Sequence, residues 1–319
     1  MLRSFAIHGL EFRGKLVKRG DLDGMGCLAL MQQAGVDMRK TEYVEQGTYL
    51  PGALTADSGK QEGVVYKVAE DKPTLIVDHH GETSRPGSSA TIYLYNLLVE
   101  MGVLRDTEYI YKMVDFITRS DNARLPDEDN YFANPNYHRT LLGLRNFVRR
   151  PYDLIKFFKD GHSETDILTD EELRKYGFIY PELDDNGNQI LNAKGNSKII
   201  NRSSEVRYNI KLSQERIDVL EKRRFVAVSS KYGKIIIDYR DDNKKITGSF
   251  VAVKAAGYDG FIIWNPANQS FFVSATRPFD FDRSQIQDGI IQRETMWMKE
   301  KTDKTPLKLK LKDILDKET

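Results

Sequence analysis

The sequence contains very little cysteine and no long apolar run. Its 319 residues include a single cysteine, Cys27, which excludes an internal disulfide framework and is typical of a reducing compartment. No segment approaches the roughly 20 apolar residues that a transmembrane helix needs. The N-terminal residues contain no apolar stretch of signal-peptide length. We therefore expect a soluble cytoplasmic protein.

The chain also lacks an excess of charge of either sign. Its 48 basic and 47 acidic residues leave a net charge of +1. A protein dedicated to non-specific binding of bulk nucleic acid would be strongly basic, so the composition argues against that class. A local basic groove is compatible with this balance. The length is sufficient for two ordinary domains.

Strand-like and helix-like segments alternate along the first part of the chain. The clearest strand is Thr74-Leu75-Ile76-Val77, because an apolar run of this kind suits a strand covered on both faces. A β-α-β-α order predicts an α/β fold with a doubly wound parallel sheet. Strands are predicted at residues 15–18, 41–45, 52–56 and 75–77, and helices at residues 25–34, 90–101 and 108–118.

The rest of the sequence predicts a connecting region, a smaller second domain and a tail. Residues 134–150 have the spacing of an amphipathic helix, whose basic residues form either a solvated face or a phosphate-contacting surface. In the smaller C-terminal α/β domain, strands are expected at residues 225–229, 234–239, 260–264 and 270–274, and a helix at 250–256. The predicted boundaries are a metal-binding catalytic domain at 1–133, connecting helices with a polar insertion at 134–205, a substrate-binding domain at 206–295 and a charged tail at 296–319.

The chemistry is indicated by carboxylates and imidazoles at predicted strand ends. Asp78-His79-His80 directly follows the apolar strand, and this is the end of a strand at which open α/β sheets bind ligands. Oxygen and imidazole ligands together suit a divalent metal such as Mn²⁺. Further carboxylates of this kind occur at Asp21, Asp23, Asp57 and Asp121.

Each of these features also has a simpler interpretation. Asp21-Leu22-Asp23-Gly24 is a common turn sequence, paired histidines can cap a strand, and Asp121 can close a helix. Their occurrence in order along one chain favours metal-assisted phosphoester hydrolysis. In that chemistry the metal activates water and positive charge stabilises the phosphoryl oxygens.

In these segments the sequence resembles the DHH phosphoesterase superfamily. That group includes the RecJ exonucleases, the nanoRNases, cyclic-dinucleotide phosphodiesterases and the family II inorganic pyrophosphatases. The resemblance covers roughly residues 15–125. Its motifs correspond to residues 20–26, 55–59, 77–80 with the helix start at 88–91, and 119–122.

The resemblance implies a role for each of these residues. Asp57 would bridge two metal ions, His80 would lie beside the scissile phosphate, and Asp78 would orient the histidines. Asp115 competes with Asp121 for the fourth motif, and we prefer Asp121 because it follows the predicted helix. The implied catalytic residues are Asp57, His80 and Asp78, and the implied ligands of two Mn²⁺ or Mg²⁺ ions are Asp21, Asp23, Asp57, His79 and Asp121.

The sequence departs from the family pattern in two places. Many members carry a histidine two or four residues before the first aspartate, where this chain has Arg19 and Val17. The first metal would then bind weakly, or Arg19 would supply the positive charge; His8 is a substitute only if the fold brings it to the site. The Gly-Gly-Gly-His loop of the family's second domain is absent. The segment 272–277 resembles the strand before that loop, which makes Arg277 a candidate for substrate phosphate, with a plain surface arginine as the alternative.

The function predicted from these residues is a metal-dependent phosphoesterase that uses metal-activated water. Its expected partner is a short single-stranded nucleic acid or a small phosphorylated molecule, and no membrane is expected. Two alternatives remain open at this point. One is a non-catalytic or single-metal nucleotide-binding protein with the same fold, and the other is an inorganic pyrophosphatase.

Overall fold

The protein has a mixed α/β architecture divided into two compact units. One unit comprises residues 1–125 and 136–203, and the other comprises residues 126–135 and 204–319. The computed structural model describes residues 5–9, 11–12, 15–16, 20–37, 41–45, 47–80, 87–122, 134–184, 186–224, 226–229, 233–239, 250–265, 270–275, 290–293 and 296–299.

The first unit is built on a five-stranded sheet with the order β4-β1-β5-β7-β6. All neighbouring strands are parallel except β6, which forms an antiparallel hairpin with β7 at the edge. In chain order its first elements are β1 (Phe5–His8), β2 (Glu11–Phe12), β3 (Lys15–Leu16), α1 (Leu22–Gln33), β4 (Thr41–Val44), β5 (Leu54–Ala56), β6 (Gly63–Ala69), β7 (Lys72–Asp78), α2 (Ala90–Glu100) and α3 (Glu108–Asp121).

The first predicted strand, at residues 15–18, corresponds to the strand Lys15–Leu16, but this strand is not part of the five-stranded sheet. Among the described residues, Lys15 and Leu16 pair with Glu11 and Phe12 in a small two-stranded hairpin. The strand that lies between β4 and β5 is β1, whose residues Phe5–Ile7 are fully buried. The apolar run of β1 is short, and a second short apolar segment follows it closely in the sequence. Apolar character alone therefore did not show which of the two segments belongs to the main sheet.

Helices α1 and α2 each begin at a residue whose side chain caps the helix. Ser89 accepts a hydrogen bond from the Ile92 N–H group and caps α2. Gly26 lies where α1 crosses its neighbours, since a Cβ atom there would be 2.4 Å from Thr91 Oγ1 and 2.6 Å from Ile117 Cδ1. The absence of a side chain at Gly26 therefore permits close packing of the three helices.

The predicted amphipathic helix at residues 134–150 is wrong as a single element. The segment consists of a 3₁₀ turn (Tyr137–Arg139), the short helix α4 (Leu141–Leu144) and a second 3₁₀ turn (Arg145–Phe147). Thr140 ends the first turn and caps α4 through the Gly143 N–H group. The basic residues of this segment mostly contact the protein itself, as Arg139 donates to the Leu168 carbonyl oxygen.

The polar region that follows contains two matched turns eight residues apart. After α5 (Pro151–Lys159) and α6 (Asp170–Lys175), β8 (Ile179–Pro181) pairs with β9 (Ile199–Asn201). Between them, Asp184 and Asn192 each accept hydrogen bonds from the backbone N–H groups two and four residues later. Backbone hydrogen bonds join Glu182, Ile190 and Lys198 in a closed ring. The insertion is therefore an ordered three-way junction of hairpins.

The second unit contains a six-stranded sheet with the order β10-β11-β12-β13-β15-β14. β11 and β12 are parallel, and the other described pairs are antiparallel. The sequence predictions for its first four strands and its short helix are confirmed. Its elements are α7 (Arg202–Lys222), β10 (Val226–Ser229), β11 (Gly233–Tyr239), α8 (Phe250–Ala255), β12 (Gly260–Asn265), β13 (Ser270–Ala275), β14 (Ile290–Arg293) and β15 (Met296–Lys299). Residues 300–319, the predicted tail, lie outside the described residues.

A search of the described helices for one with the length and apolar character needed to cross a membrane found none.

We predict that Gly26→Ala destabilises the first unit, because the added methyl group meets the α2 and α3 side chains. The expected loss is about 1–3 kcal/mol of unfolding free energy, measured by urea denaturation with circular dichroism. Gly24→Ala is the matched control in the same helix, since its Cβ atom would meet no atom closer than 3.4 Å. Equal stability of the two variants would contradict this account of the packing.

Candidate metal centre

The strands of the first sheet bring distant polar residues to one edge. β1, β5 and β7 run parallel, with Ile7 paired to Ala56 and Ala56 paired to Val77. The residues that follow these strands therefore leave the sheet side by side. Asp57 follows β5, and Asp78-His79 ends β7 at the same edge. This is the position at which open α/β sheets carry their ligand sites.

His79 lies at the centre of a ring of carboxylates. Its Nε2 atom is 3.3 Å from Asp23 Oδ2, 3.6 Å from Asp57 Oδ1 and 3.5 Å from Asp121 Oδ2. Metal–ligand bonds of about 2.0–2.2 Å place the ligand atoms of a tetrahedral site roughly 3.3–3.6 Å apart. The spacing around His79 is therefore the spacing of a divalent metal site.

The negative charge of the buried Asp57 carboxylate is less well compensated by hydrogen bonds than the charges of Asp23 and Asp78. Neither of its buried oxygen atoms accepts a hydrogen bond from the described residues. Burial, followed by the charges of Asp21, Asp23 and Asp121, raises its pKa well above the usual range. Its φ of 57° lies in the left-handed region, which aspartate tolerates better than most residues. A bound cation would remove the cost of burying this charge.

Asp23 is held rigidly by the start of α2. Its Oδ2 atom accepts a hydrogen bond of 2.7 Å from the Ala90 N–H group, and its Oδ1 atom accepts one of 2.9 Å from Thr91. The small-residue helix start noted in the sequence thus has a physical role. It provides N–H donors that fix a buried carboxylate beside His79.

Asp21 is placed beside Asp57 by the first turn of α1. Its Oδ1 atom accepts a hydrogen bond of 3.0 Å from the Gly24 N–H group. A Cβ atom on Gly24 would lie 3.4 Å from Asp57 Oδ2 and 3.6 Å from Asp21 Oδ1. The two carboxylates therefore face a common space beside the backbone of α1.

Asp78 orients both histidines rather than facing the carboxylate ring. Its Oδ1 atom accepts hydrogen bonds from the His79 and His80 N–H groups and lies 2.8 Å from His80 Nδ1, while Oδ2 accepts from the Lys60 N–H group. Burial acts to raise the pKa of Asp78, but the hydrogen bonds and charges of His80 and His79 outweigh it and lower that pKa. Burial likewise acts to lower the pKa of His80, and the bond to Asp78 reverses this effect and raises it.

The structure separates the two aspartates that competed for the fourth motif. Asp121 is the last residue of α3 and lies beside His79. Asp115 is engaged by Arg119, whose Nε atom is 2.7 Å from Asp115 Oδ2. Asn122 was part of the fourth motif, but the sequence assigned it no role. In the structure it accepts from the Gly87 N–H group at 3.0 Å and donates to the Ser88 carbonyl oxygen at 2.7 Å. The only sequence signal for this role of Asn122 was its position directly after Asp121.

The backbone of His8 reaches the same edge of the sheet. His8 is the last residue of β1 and pairs with Val44, and the residue before it pairs with Ala56. The fold therefore brings His8 next to the strand that leads into Asp57. The other candidates for added positive charge, Arg19 and Arg277, lie outside the described residues.

We predict that Mn²⁺ stabilises the protein and that Asp57→Asn abolishes this effect. At a free concentration of about 100 times Kd, binding adds about 2.7 kcal/mol to the unfolding free energy. Thermal unfolding with and without Mn²⁺ measures the shift. In the absence of metal, Asp57→Asn should unfold at the same or a higher temperature than the wild type, because it removes a buried uncompensated charge.

Asp115→Asn is the control for this measurement, since Asp115 contacts Arg119 and not the carboxylate ring. It should retain the full Mn²⁺ shift. A full shift in Asp57→Asn would contradict the assignment of Asp57 to the metal centre.

Comparisons with known proteins do not assign a family. No protein-family model and no curated protein matches the chain. An uncharacterized protein from Helicobacter pylori G27 aligns over 95% of this chain and 94% of its own, with 10% identity and a TM-score of 0.30. RecJ from Thermus thermophilus, in complex with Mg²⁺, aligns over 94% of this chain and 47% of its own, with 12% identity and a TM-score of 0.39. The likeness to RecJ is weak, so a functional proposal must rest on the geometry of the site.

Proposed function

We propose that this protein is a divalent-metal-dependent phosphoesterase whose first unit has the DHH arrangement. Its substrate is a short oligonucleotide or a nucleotide-like phosphoester. The observation that carries the proposal is the convergence of Asp23, Asp57 and Asp121 on His79, together with the unpartnered buried oxygens of Asp57. Phosphoester hydrolysis is the chemistry for which such a carboxylate-rich centre is suited.

Two neighbouring metal ions would be held by the carboxylates and imidazoles of this edge. Asp23, His79 and Asp121 would be ligands of one ion, and Asp57 and Asp21, whose charges interact, would be ligands at the same centre. Carboxylate and imidazole donors suit Mn²⁺, with Mg²⁺ as a second choice. When bound, the ions supply activation of water and compensation of charge on the phosphoryl oxygens.

His80 is the residue that would contact the substrate phosphate. Its side chain is 40% exposed, whereas that of His79 is 10% exposed, so the two rings have different access to a ligand. The Asp78 carboxylate fixes the His80 ring through Nδ1. A ring held in this way presents a positioned donor to a phosphoryl or leaving oxygen.

Asp78 supports this arrangement as a positioning residue. It holds the loop after β5 through the Lys60 N–H group and the end of β7 through the His79 N–H group. Asp57 and the histidines are thereby fixed relative to each other. Such outer contacts commonly set metal affinity and activity within about 10–100-fold.

The near-zero net charge of the chain favours a short oligonucleotide over long duplex nucleic acid. A side-by-side assay tests this substrate assignment. We expect Mn²⁺-dependent hydrolysis of short RNA or short single-stranded DNA to exceed that of cyclic dinucleotides and pyrophosphate. Turnover of pyrophosphate alone would favour the inorganic pyrophosphatase instead. Bound Mn²⁺ without turnover of any substrate would favour a nucleotide-binding protein, the alternative suggested by the missing histidine of the first motif.

Paired histidine variants separate catalysis from metal binding in the same assay. His80→Ala should retain the Mn²⁺ thermal shift and lose about 10²–10³-fold in kcat. His162→Ala is the control, because the His162 ring packs against Phe157 and Tyr176 and not against the metal cluster. Full activity in His80→Ala would remove His80 from the proposed mechanism.

A further inference from the structure

We infer that two copies of this chain associate through β6, which is an edge strand of the first sheet in the part of the chain that the structure describes. β6 is the last strand of the first sheet, and an edge strand leaves the backbone N–H and C=O groups of every second residue without a strand partner. Val64, Tyr66 and Val68 on this strand are 42%, 65% and 66% exposed. Because alternate side chains share one face of a strand, they form a continuous apolar row.

β6 has few of the features that usually protect a sheet edge. It is seven residues long, contains no proline, and pairs with β7 from Gly63 to Ala69 without a bulge. Its only charged residue is Lys67, whose Nζ atom lies 3.6 Å from the centroid of the Tyr49 ring. The opposite edge differs, since β4 has four residues and carries the exposed Glu42. An unprotected apolar edge of this length is suited to pairing with another strand.

The order of side chains on β6 identifies a second copy as the occupant. The row Val64-Tyr66-Val68 reads the same in both directions. An antiparallel pair around a two-fold axis at Tyr66 would place the two Tyr66 rings opposite each other and Val64 opposite Val68. The same axis places Lys67 opposite Val65, so within Gly63–Ala69 no like charges face each other. Glu62 and Glu70, which would face each other, lie outside the strand. A two-fold interface requires this kind of self-complementary surface.

The inference is tested on the full chain by sedimentation equilibrium. We expect a concentration-dependent dimer. Tyr66→Lys should raise the dissociation constant by at least about tenfold, because it places like charges in direct opposition. Tyr111→Lys, at a residue on α3 that is 59% exposed, is the control and should leave the dimer unchanged. The circular dichroism spectrum and the thermal unfolding transition of Tyr66→Lys, measured without metal, should match those of the wild type, which shows that the variant is folded.

Two further variants test the register of the pair. A mixture of Tyr66→Lys and Tyr66→Glu should restore a dimer that contains one chain of each, since opposite charges then meet across the axis. Tyr66→Cys should form a disulfide between copies under mild oxidation. Val68→Cys should not, because the two Val68 residues would lie four positions apart, about 13 Å. The native Cys27 is buried and does not compete.

A protein that is monomeric at all concentrations would overturn the inference. A dimer insensitive to Tyr66→Lys, or a disulfide from Val68→Cys without one from Tyr66→Cys, would overturn it as well. None of these outcomes depends on phosphoesterase activity, so the inference fails or stands independently of the proposed function.

Discussion

The first unit depends on the crowding of carboxylates in a space with little access to solvent. Asp23, Asp57 and Asp78 are each at most 1% exposed, and the charges of three further carboxylates act on Asp57. Burial raises the free energy of an ionised group, and like charges raise it further. Asp78 is stabilised by its bonds to His80 and to backbone N–H groups. The oxygen atoms of Asp57 accept no hydrogen bond from the described residues, and Oδ1 lies 3.6 Å from His79 Nε2 and 3.7 Å from His80 Nδ1. Divalent cations at this point would satisfy the cluster, which is why we interpret it as a metal centre.

Backbone donors at element ends keep the cluster in place. The start of α2 holds Asp23, the first turn of α1 holds Asp21, and the loop after β5 holds Asp78. Asn122 ties the end of α3 to the start of α2, which fixes the helix end that carries Asp121. Because these donors belong to the fold, residues separated by a hundred positions in the sequence stay within a few ångströms of each other. The same geometry leaves His80 more exposed than His79, and this difference separates substrate contact from metal binding in our proposal.

The sequence predicted the parts that depend on local pattern. The apolar run before Asp78 predicted β7, and the helix predicted at residues 90–101 corresponds to α2. Asp121, which was expected to follow a helix, is the last residue of α3 and lies beside His79. The strand β1 was not predicted, because its short apolar run is followed by a similar segment that forms a small hairpin.

The helix expected at 134–150 is divided by the Thr140 cap and by Gly143, where a Cβ atom would lie 2.2 Å from the Tyr137 carbonyl oxygen. Such close approaches depend on tertiary packing, which periodicity does not contain. The matched turns at Asp184 and Asn192 were visible as Gly-Asn pairs, but their junction required long-range pairing.

The central claim is that Asp57 and His79 belong to one metal centre, and anomalous X-ray scattering from crystals grown with Mn²⁺ tests it most directly. We predict a strong manganese peak within bonding distance of Asp23, Asp57, His79 and Asp121, and a second peak that contacts Asp21 and Asp57. The absence of any manganese peak at this cluster in crystals saturated with Mn²⁺ would contradict the account.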